Sequence, residues 1–335
     1  MKTSSYFRIP LMVIFLFLSL SVFSQKKSKT VLSFAQISTT QGLPTNEVHC
    51  IYQDKQGFIW IGTNSGLCQY DGVQLKVVKD NLFNPGLPIN NYIRCIVEDD
   101  QQQLWIGTND GITILHKRTG IIEKLKLENF NNVVVTRILI TSNKRYLIGT
   151  EQGLYEYIPS NKQLIYWNRL RTGNVFANGL SVMDLMEDSK KNVWIGTWGN
   201  GYYRLNLSTN RFFSYPQLNA RNSAFSIFED SKHRIWIGSW GYGLFLLQNP
   251  YEPQKTKSIN FSATGTSDAI CSNSIYDIGE DKNNHEVWLA TRNGLSVIHE
   301  AGNKFYFQNY SPNNTATSIS YNDISTILCD GEGMM

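Results

Sequence analysis

Two tryptophans each follow another tryptophan by four residues: Trp198 after Trp194 in VWIGTWGNGY, and Trp240 after Trp236 in IWIGSWGYGL. If the first indole of each pair serves packing, the second is free to bind. Its flat apolar face suits the hydrogen-bearing side of a pyranose ring. At the same offset from the glycine of related phrases stand Asn64, Asn109, Glu151 and Arg292, and Asn200 and Tyr242 lie beside the two indoles. Amides and a guanidinium bond sugar hydroxyls, so these residues together describe a ligand site for an oligosaccharide. The competing account is that Asn and Gly stand there for turn geometry alone. Catalytic and metal chemistry have little to draw on. His49, His116, His233, His285 and His299 show no ligand spacing. There is no glycine-rich phosphate loop at a strand–helix junction and no nucleophile elbow, so no metal, cofactor or catalytic residue is expected.

These candidates sit in a repeat. The phrases GFIWIGTNSGL, LWIGTNDGI, YLIGTEQGL, VWIGTWGNGY, IWIGSWGYGL and VWLATRNGL place Gly62, Gly107, Gly149, Gly196, Gly238 and then Ala290 at intervals of 42 to 52 residues. A period of 40 to 50 with strand-like content predicts a β-propeller with one four-stranded blade per repeat. Each unit opens with an alternating run that ends in an acid, such as VHCIYQD at 48–54 or AFSIFED at 224–230. A tight turn, the Trp-Ile-Gly strand, a Gly turn and two further strands follow. Trp60, Trp105, Trp194, Trp236 and Trp288 recur once per unit and are expected to fill the wedge between blades. Gly62, Gly107, Gly149, Gly196 and Gly238 are expected to allow close backbone approach near the axis. Asp54, Asp99, Asp188 and Asp230 precede their tryptophans by six residues, a spacing that suits a turn-capping carboxylate. In the third unit Thr141 and Leu147 replace Asp and Trp, which makes it the weakest blade.

Six units are nearly complete, and NDISTILCD at 322–330 reads as the start of a seventh that stops at Met335. The sequence therefore predicts a seven-bladed type of all-β propeller over 31–335, with six near-complete blades and a truncated seventh. Residues 31–38 are expected to form an outer strand that fastens the ring. Ahead of this, Lys2 and Arg8 precede an apolar run from Ile9 to Leu20, with Ser24 at the cut, which describes a signal peptide at 1–24 and a flexible leader at 25–30. With 41% hydrophobic and 17% charged residues, the chain can bury a large core. Its net charge of +4 is not clustered into a nucleic-acid face. Five cysteines without paired spacing argue against a disulfide framework, and Cys50 and Cys95 read as small buried apolar groups on inner strands.

The stretch GLPTNEVHCIYQDKQGFIWIGTNSGLCQYDG at 42–72 resembles the two-component regulator propeller repeat, and the resemblance runs through residues 33–333. It rests on Gly-Leu-Pro at 42–44 and 86–88, the acid–turn–WIGT core and the Gly-Leu exit. It implies the exported, periplasmic sensor region of a hybrid two-component regulator that binds an oligosaccharide and has no catalysis of its own. The kinase, any homodimer contact and any membrane attachment would then belong to regions beyond Met335. Two other readings stay open. One is a protein-docking or dimerisation platform. The other is an enzyme, either a sialidase-like propeller, whose Asp-box the Asp–Trp spacing resembles, or a lyase propeller. Sialidases need an arginine cluster, and only Arg292 stands on the expected rim.

Overall fold

The computed structural model describes residues 33–78, 92–128, 130, 132–167, 179–215, 223–266, 268–302, 304–313, 315 and 318–335. The signal peptide and leader expected at 1–30 lie outside these residues, as does the Gly-Leu-Pro at 86–88. Alternating apolar residues in each repeat form a first strand, and the WIGT phrase forms the second. In the first blade the strands are Val48–Gln53, Ile59–Thr63, Gly66–Tyr70 and Leu75–Val77. Five further blades span 93–124, 135–167, 182–214, 224–261 and 275–310, each an antiparallel meander whose strands pair in chain order. First strands of successive blades pack side by side, from Val48–Gln53 through Ile93–Glu98, Val135–Ile140, Val182–Glu187 and Ala224–Glu229 to Ile275–Glu280. They form the inner ring, and the other three strands of each blade step outward. Among the described residues no helix is long and apolar enough to cross a membrane.

The expected truncated seventh blade is not formed: the described residues make six four-stranded sheets. Residues 318–335 contain no strand. They run as a bridge in which Ile324 N–H donates to the Thr291 carbonyl (3.0 Å) and Gly331 N–H donates to Gln53 Oε1 (2.6 Å), so blade six is tied to blade one. Side chains and turns hold this segment, but no antiparallel neighbour offers it a ladder, and a strand needs one. The fastening strand expected at 31–38 is likewise not formed by its described residues. Residues 33–38 are irregular, although Phe34 stands edge-on to Tyr310 of the last blade with ring centres 5.9 Å apart.

The core lies between blades. Trp60 packs with Ile93, Ile96, Leu104 and Ile106 of the second blade, and Trp236 packs with Ile275, Ile278, Val287 and Leu289 of the sixth. The aspartate six residues earlier uses both oxygens. Asp54 Oδ1 accepts the Gln56 and Phe58 N–H groups across the turn, and Oδ2 accepts the Trp60 indole N–H at 2.8 Å. Trp105, Trp194 and Trp236 repeat the bond to Asp99, Asp188 and Asp230 at 2.8–2.9 Å. In blade six the turn is one residue longer, Asp281 stands seven residues before Trp288, and the buried Trp288 N–H has no partner. Blade three keeps its turn with a hydroxyl, because Thr141 Oγ1 accepts Arg145 N–H at 2.9 Å.

The repeat glycine answers to the same crowding. A Cβ on Gly62 would lie 2.6 Å from Ile93, one on Gly107 2.7 Å from Val135, and one on Gly149 2.7 Å from Val182. The first residue of the next blade's inner strand occupies that space. At Gly196 the obstacle is the Ala224 carbonyl at 2.6 Å, and at Gly238 it is Ile275 at 2.7 Å. Cys50 and Cys95 are buried and unbridged in the inner strands.

Polar staples also cross between blades. Glu187, Glu229 and Glu280, at the ends of inner strands, accept both the N–H and the hydroxyl of Ser142, Ser189 and Ser231 in the preceding blade. Between blades one and two the staple is ionic. Lys117 Nζ lies 2.8 Å from Asp54 Oδ2 and 2.7 Å from Glu98 Oε1, with all three side chains almost wholly buried. Burial alone would lower the Lys117 pKa, but the bonds to Asp54 and Glu98 outweigh it and raise it. Burial works the other way on Asp54, where the bonds from Lys117 and Trp60 hold the carboxyl below its usual value.

Removing the carboxylate in Asp188→Ala leaves the Trp194 indole N–H buried and unpaired. It is expected to lower unfolding free energy by about 1–3 kcal/mol in urea titration. Lys117→Met, which strands two buried carboxylates, is expected to cost about 3–5 kcal/mol near neutral pH. In the wild type the Asp54 contribution is present above the unfolded aspartate pKa and is lost as pH falls through the lower folded value. The Lys117 contribution is present below the unfolded lysine pKa and is lost as pH rises through the higher folded value. Urea midpoints measured against pH should therefore show a plateau with both limbs, and the alkaline limb should flatten in Lys117→Met.

Candidate functional site

One face of the ring is built by the turns between second and third strands. The Thr or Ser that ends each WIGT-type strand closes the turn: Thr63 Oγ1 donates to the Gly66 carbonyl at 2.8 Å, and Thr291 Oγ1 to that of Gly294 at 2.7 Å. Two residues past the repeat glycine, one residue per blade donates its N–H to the lead-in of its own blade. These are Asn64 to Glu47, Asn109 to Tyr92, Glu151 to Val134, Trp198 to Ser181, Trp240 to Ser223 and Arg292 to Ser274. Six chemically different side chains are thus presented from one backbone position. In blades four and five the turn carries an extra residue, closed by Thr197 Oγ1 to Gly201 and by Ser239 Oγ to Gly243.

Neighbouring inner strands add a second tier. Each strand carries a bulge at its second residue, which leaves His49, Arg94, Thr136, Met183, Phe225 and Tyr276 out of register. A bulge re-aims its side chain. Phe225 and Tyr276 consequently join the two turn tryptophans in a four-ring cluster. Ring centres are 5.8 Å apart for Trp198–Trp240, 6.0 Å for Trp198–Phe225, 5.4 Å for Phe225–Trp240 and 5.5 Å for Trp240–Tyr276. Backbone bonds hold the turns together: Gly199 N–H to Ser223 Oγ (3.0 Å) and Gly241 N–H to the Asn273 carbonyl (2.9 Å). Trp198 keeps 47% of its surface exposed. Burial raises the Tyr276 hydroxyl pKa, the adjacent Asp323 carboxylate raises it further, and Arg292 pulls it back.

The blades one to three side of the face is ionic. Arg94 lies 5.0 Å over the Tyr92 ring, bonds Asn109 Oδ1 through Nε and stands 3.6 Å from Glu151. His49 stacks on Tyr92 at 4.4 Å; burial and then the Arg94 charge lower its pKa. Asn64 bonds Glu47. Asn64, Asn109 and Glu151 therefore spend polar groups on one another's neighbourhood, whereas Trp198 and Trp240 come together as one surface. Asn200 donates to the Trp198 carbonyl at 3.3 Å, which is turn geometry. Tyr242 is half exposed, and its carbonyl accepts from Asn260. Arg292 is exposed. The sequence also places Asn90, Asn91, Asn178 and Asn222 in the loops that lead into the inner strands, and these four lie outside the described residues. Phe225, Tyr276, Tyr92 and Arg94 are absent from the sequence-derived set. Their only sequence signal is position, since Phe225, Tyr276 and Arg94 are each the second residue of an inner strand.

The model of the two-component regulator propeller family matches residues 42–65, 86–110, 177–199 and 219–241. Over 69 residues, 21% of this chain and 5% of the other, the chain is 36% identical to histidine kinase P4 of Formosa agariphila. Two solved extracellular domains assigned to hybrid two component systems of B. thetaiotaomicron share the architecture. One is 26% identical with a TM-score of 0.74, covering 90% of this chain and 38% of that one. The other is 20% identical with a TM-score of 0.71, covering 90% and 40%, and its likeness is one of fold alone. The chain thus spans about two fifths of those domains.

Trp198–Trp240 is the one tryptophan pair in ring contact among the described residues, at 5.8 Å and 54°. Such a pair should give an exciton-coupled band in circular dichroism. The band should vanish in Trp198→Ala and in Trp240→Ala alike and survive Trp288→Phe.

Proposed function

Since the chain carries the repeats of the two-component regulator propeller family, we propose that it is a ligand-sensing propeller whose ligand is an oligosaccharide. The observation that carries this reading is the Trp198–Phe225–Trp240–Tyr276 cluster. Its rings touch each other at 5.4–6.0 Å, so they leave no hole between them for an ammonium group, as an aromatic cage would. They offer a platform, and the matching ligand is a flat, partly apolar face edged with hydroxyls. A sugar ring has that form. In this reading the propeller is exported to the periplasm by residues 1–24, has no catalysis of its own, and belongs to a sensor whose kinase and membrane attachment are carried elsewhere.

A second reading, a docking or dimerisation platform, is favoured by Ile259 and Tyr306. They stand exposed on the outermost strands of blades five and six. The two readings use different surfaces and are separable.

Isothermal titration calorimetry against a panel of tetrasaccharides tests the first. At least one should bind, and Trp198→Ala or Trp240→Ala should each weaken it about tenfold, roughly 1.4 kcal/mol. Affinity unmoved by the double substitution would refute the site. Docking through the outer strands instead predicts that Ile259→Lys/Tyr306→Lys changes the sedimentation coefficient while sugar titrations stay flat.

A further inference from the structure

Two arginines stand on the described part of this face, and their circumstances differ. Arg94 is neutralised by Glu151 at 3.6 Å, bonded to Asn109 and covered by Tyr92. Arg292 is exposed and makes no ion pair with any described residue. Yet its backbone is fixed: its N–H donates to the Ser274 carbonyl at 3.1 Å, and Ser274 is itself bridged to Trp240. The residue is therefore anchored one residue pairing away from the aromatic platform, close enough for its charge to act on Tyr276. The one acid that reaches Tyr276 is Asp323, which is engaged with the tyrosine hydroxyl and lies beyond ion-pair distance of Arg292. An unpaired guanidinium is a planar fork that accepts a carboxylate or sulfate in two parallel bonds. Beside the stacking surface, it would meet an anionic substituent on the same sugar or on its neighbour.

We infer that the ligand is an acidic oligosaccharide, stacked on Trp198 and Trp240 and gripped through its anionic group by Arg292. This inference rests on the saccharide reading of the platform and adds the charge of the ligand. A neutral sugar would offer Arg292 hydroxyl oxygens but nothing to neutralise its charge, a role that the amides of Asn64 and Asn109 at the equivalent positions could fill as well.

The test is calorimetry of the full chain with four probes: tetragalacturonate, its fully methyl-esterified form, galactotetraose and a sulfated chondroitin disaccharide. Binding of tetragalacturonate or of the sulfated disaccharide at least tenfold tighter than both neutral probes is expected, and which of the two binds tells carboxylate from sulfate. The preference should fall with added salt and disappear in Arg292→Gln, with part of it restored in Arg292→Lys. Thermal melts should show both variants folded, since the side chain is exposed. Neutral probes bound as tightly as acidic ones, through Trp198, would overturn the acidic ligand while leaving the platform standing. Acidic binding that is the same in Arg292→Gln would also overturn it. Failure of every probe to bind would remove the platform and this inference together.

Discussion

A single blade cannot bury both faces of its own sheet, and the rest of this structure follows from that. Each four-stranded meander is covered only when a neighbour lies on it, so stability resides in contacts between repeats. The sequence meets the constraint with an indole in five of the six blades, facing the next blade, and in four of these with a carboxylate that ties the indole nitrogen. An indole alone would leave its N–H buried without a partner. The aspartate satisfies it and closes the preceding turn with its other oxygen, so one side chain joins local turn chemistry to packing between blades. Where spacing slips from six to seven residues at Trp288, packing survives but the bond does not.

This arrangement frees the rim. The repeat glycine is pinned by neighbours less than 3 Å from where a Cβ would sit, and the wedge tryptophan by its packing against the next blade, but two residues past the glycine the blade frame uses only the backbone N–H. That position carries Asn, Asn, Glu, Trp, Trp and Arg around the ring at no cost to the blades. Binding chemistry can therefore vary without disturbing the scaffold. An aromatic quadrant can coexist with an ionic one on an otherwise regular frame.

How much of this could be read from residues alone follows the same division. The six repeats, their strand order and the ring of variable turn residues are legible because each depends on spacing within one repeat. The blade count is not, since NDISTILCD has the pattern of an inner strand while strand formation depends on partners that a pattern does not supply. Residues 33–38 fail as a strand for the same reason. Phe225 and Tyr276 are hidden differently. A bulge is a mismatch between two strands, so alternation within AFSIFED assigns Phe225 to the wrong side of a regular ladder. The Arg94–Glu151 contact, which crosses between blades, leaves no trace in local sequence.

The third residue of the inner strands carries charge toward the middle of the ring. Cys50, Cys95, Arg137, Asp184, Ser226 and Asp277 are equivalent, each opposite the repeat glycine or Ala290. Arg137 Nε lies 2.8 Å from Asp184 Oδ1, and that carboxylate's other oxygen accepts Ile227 N–H at 2.7 Å, so blades three, four and five are joined in series. Asp277 repeats the device by accepting Ile327 N–H and the Thr326 hydroxyl. The Asp184 charge raises the Arg137 pKa against the opposing effect of burial, whereas burial leads at Asp277 and raises that carboxyl. Such charges, Asp184 buried and Arg137 and Asp277 partly exposed, add little net stability over apolar residues of the same size. What they supply is direction: a carboxylate that must find one particular N–H on the next blade fixes register around the ring, a task that interchangeable aliphatic contacts perform poorly.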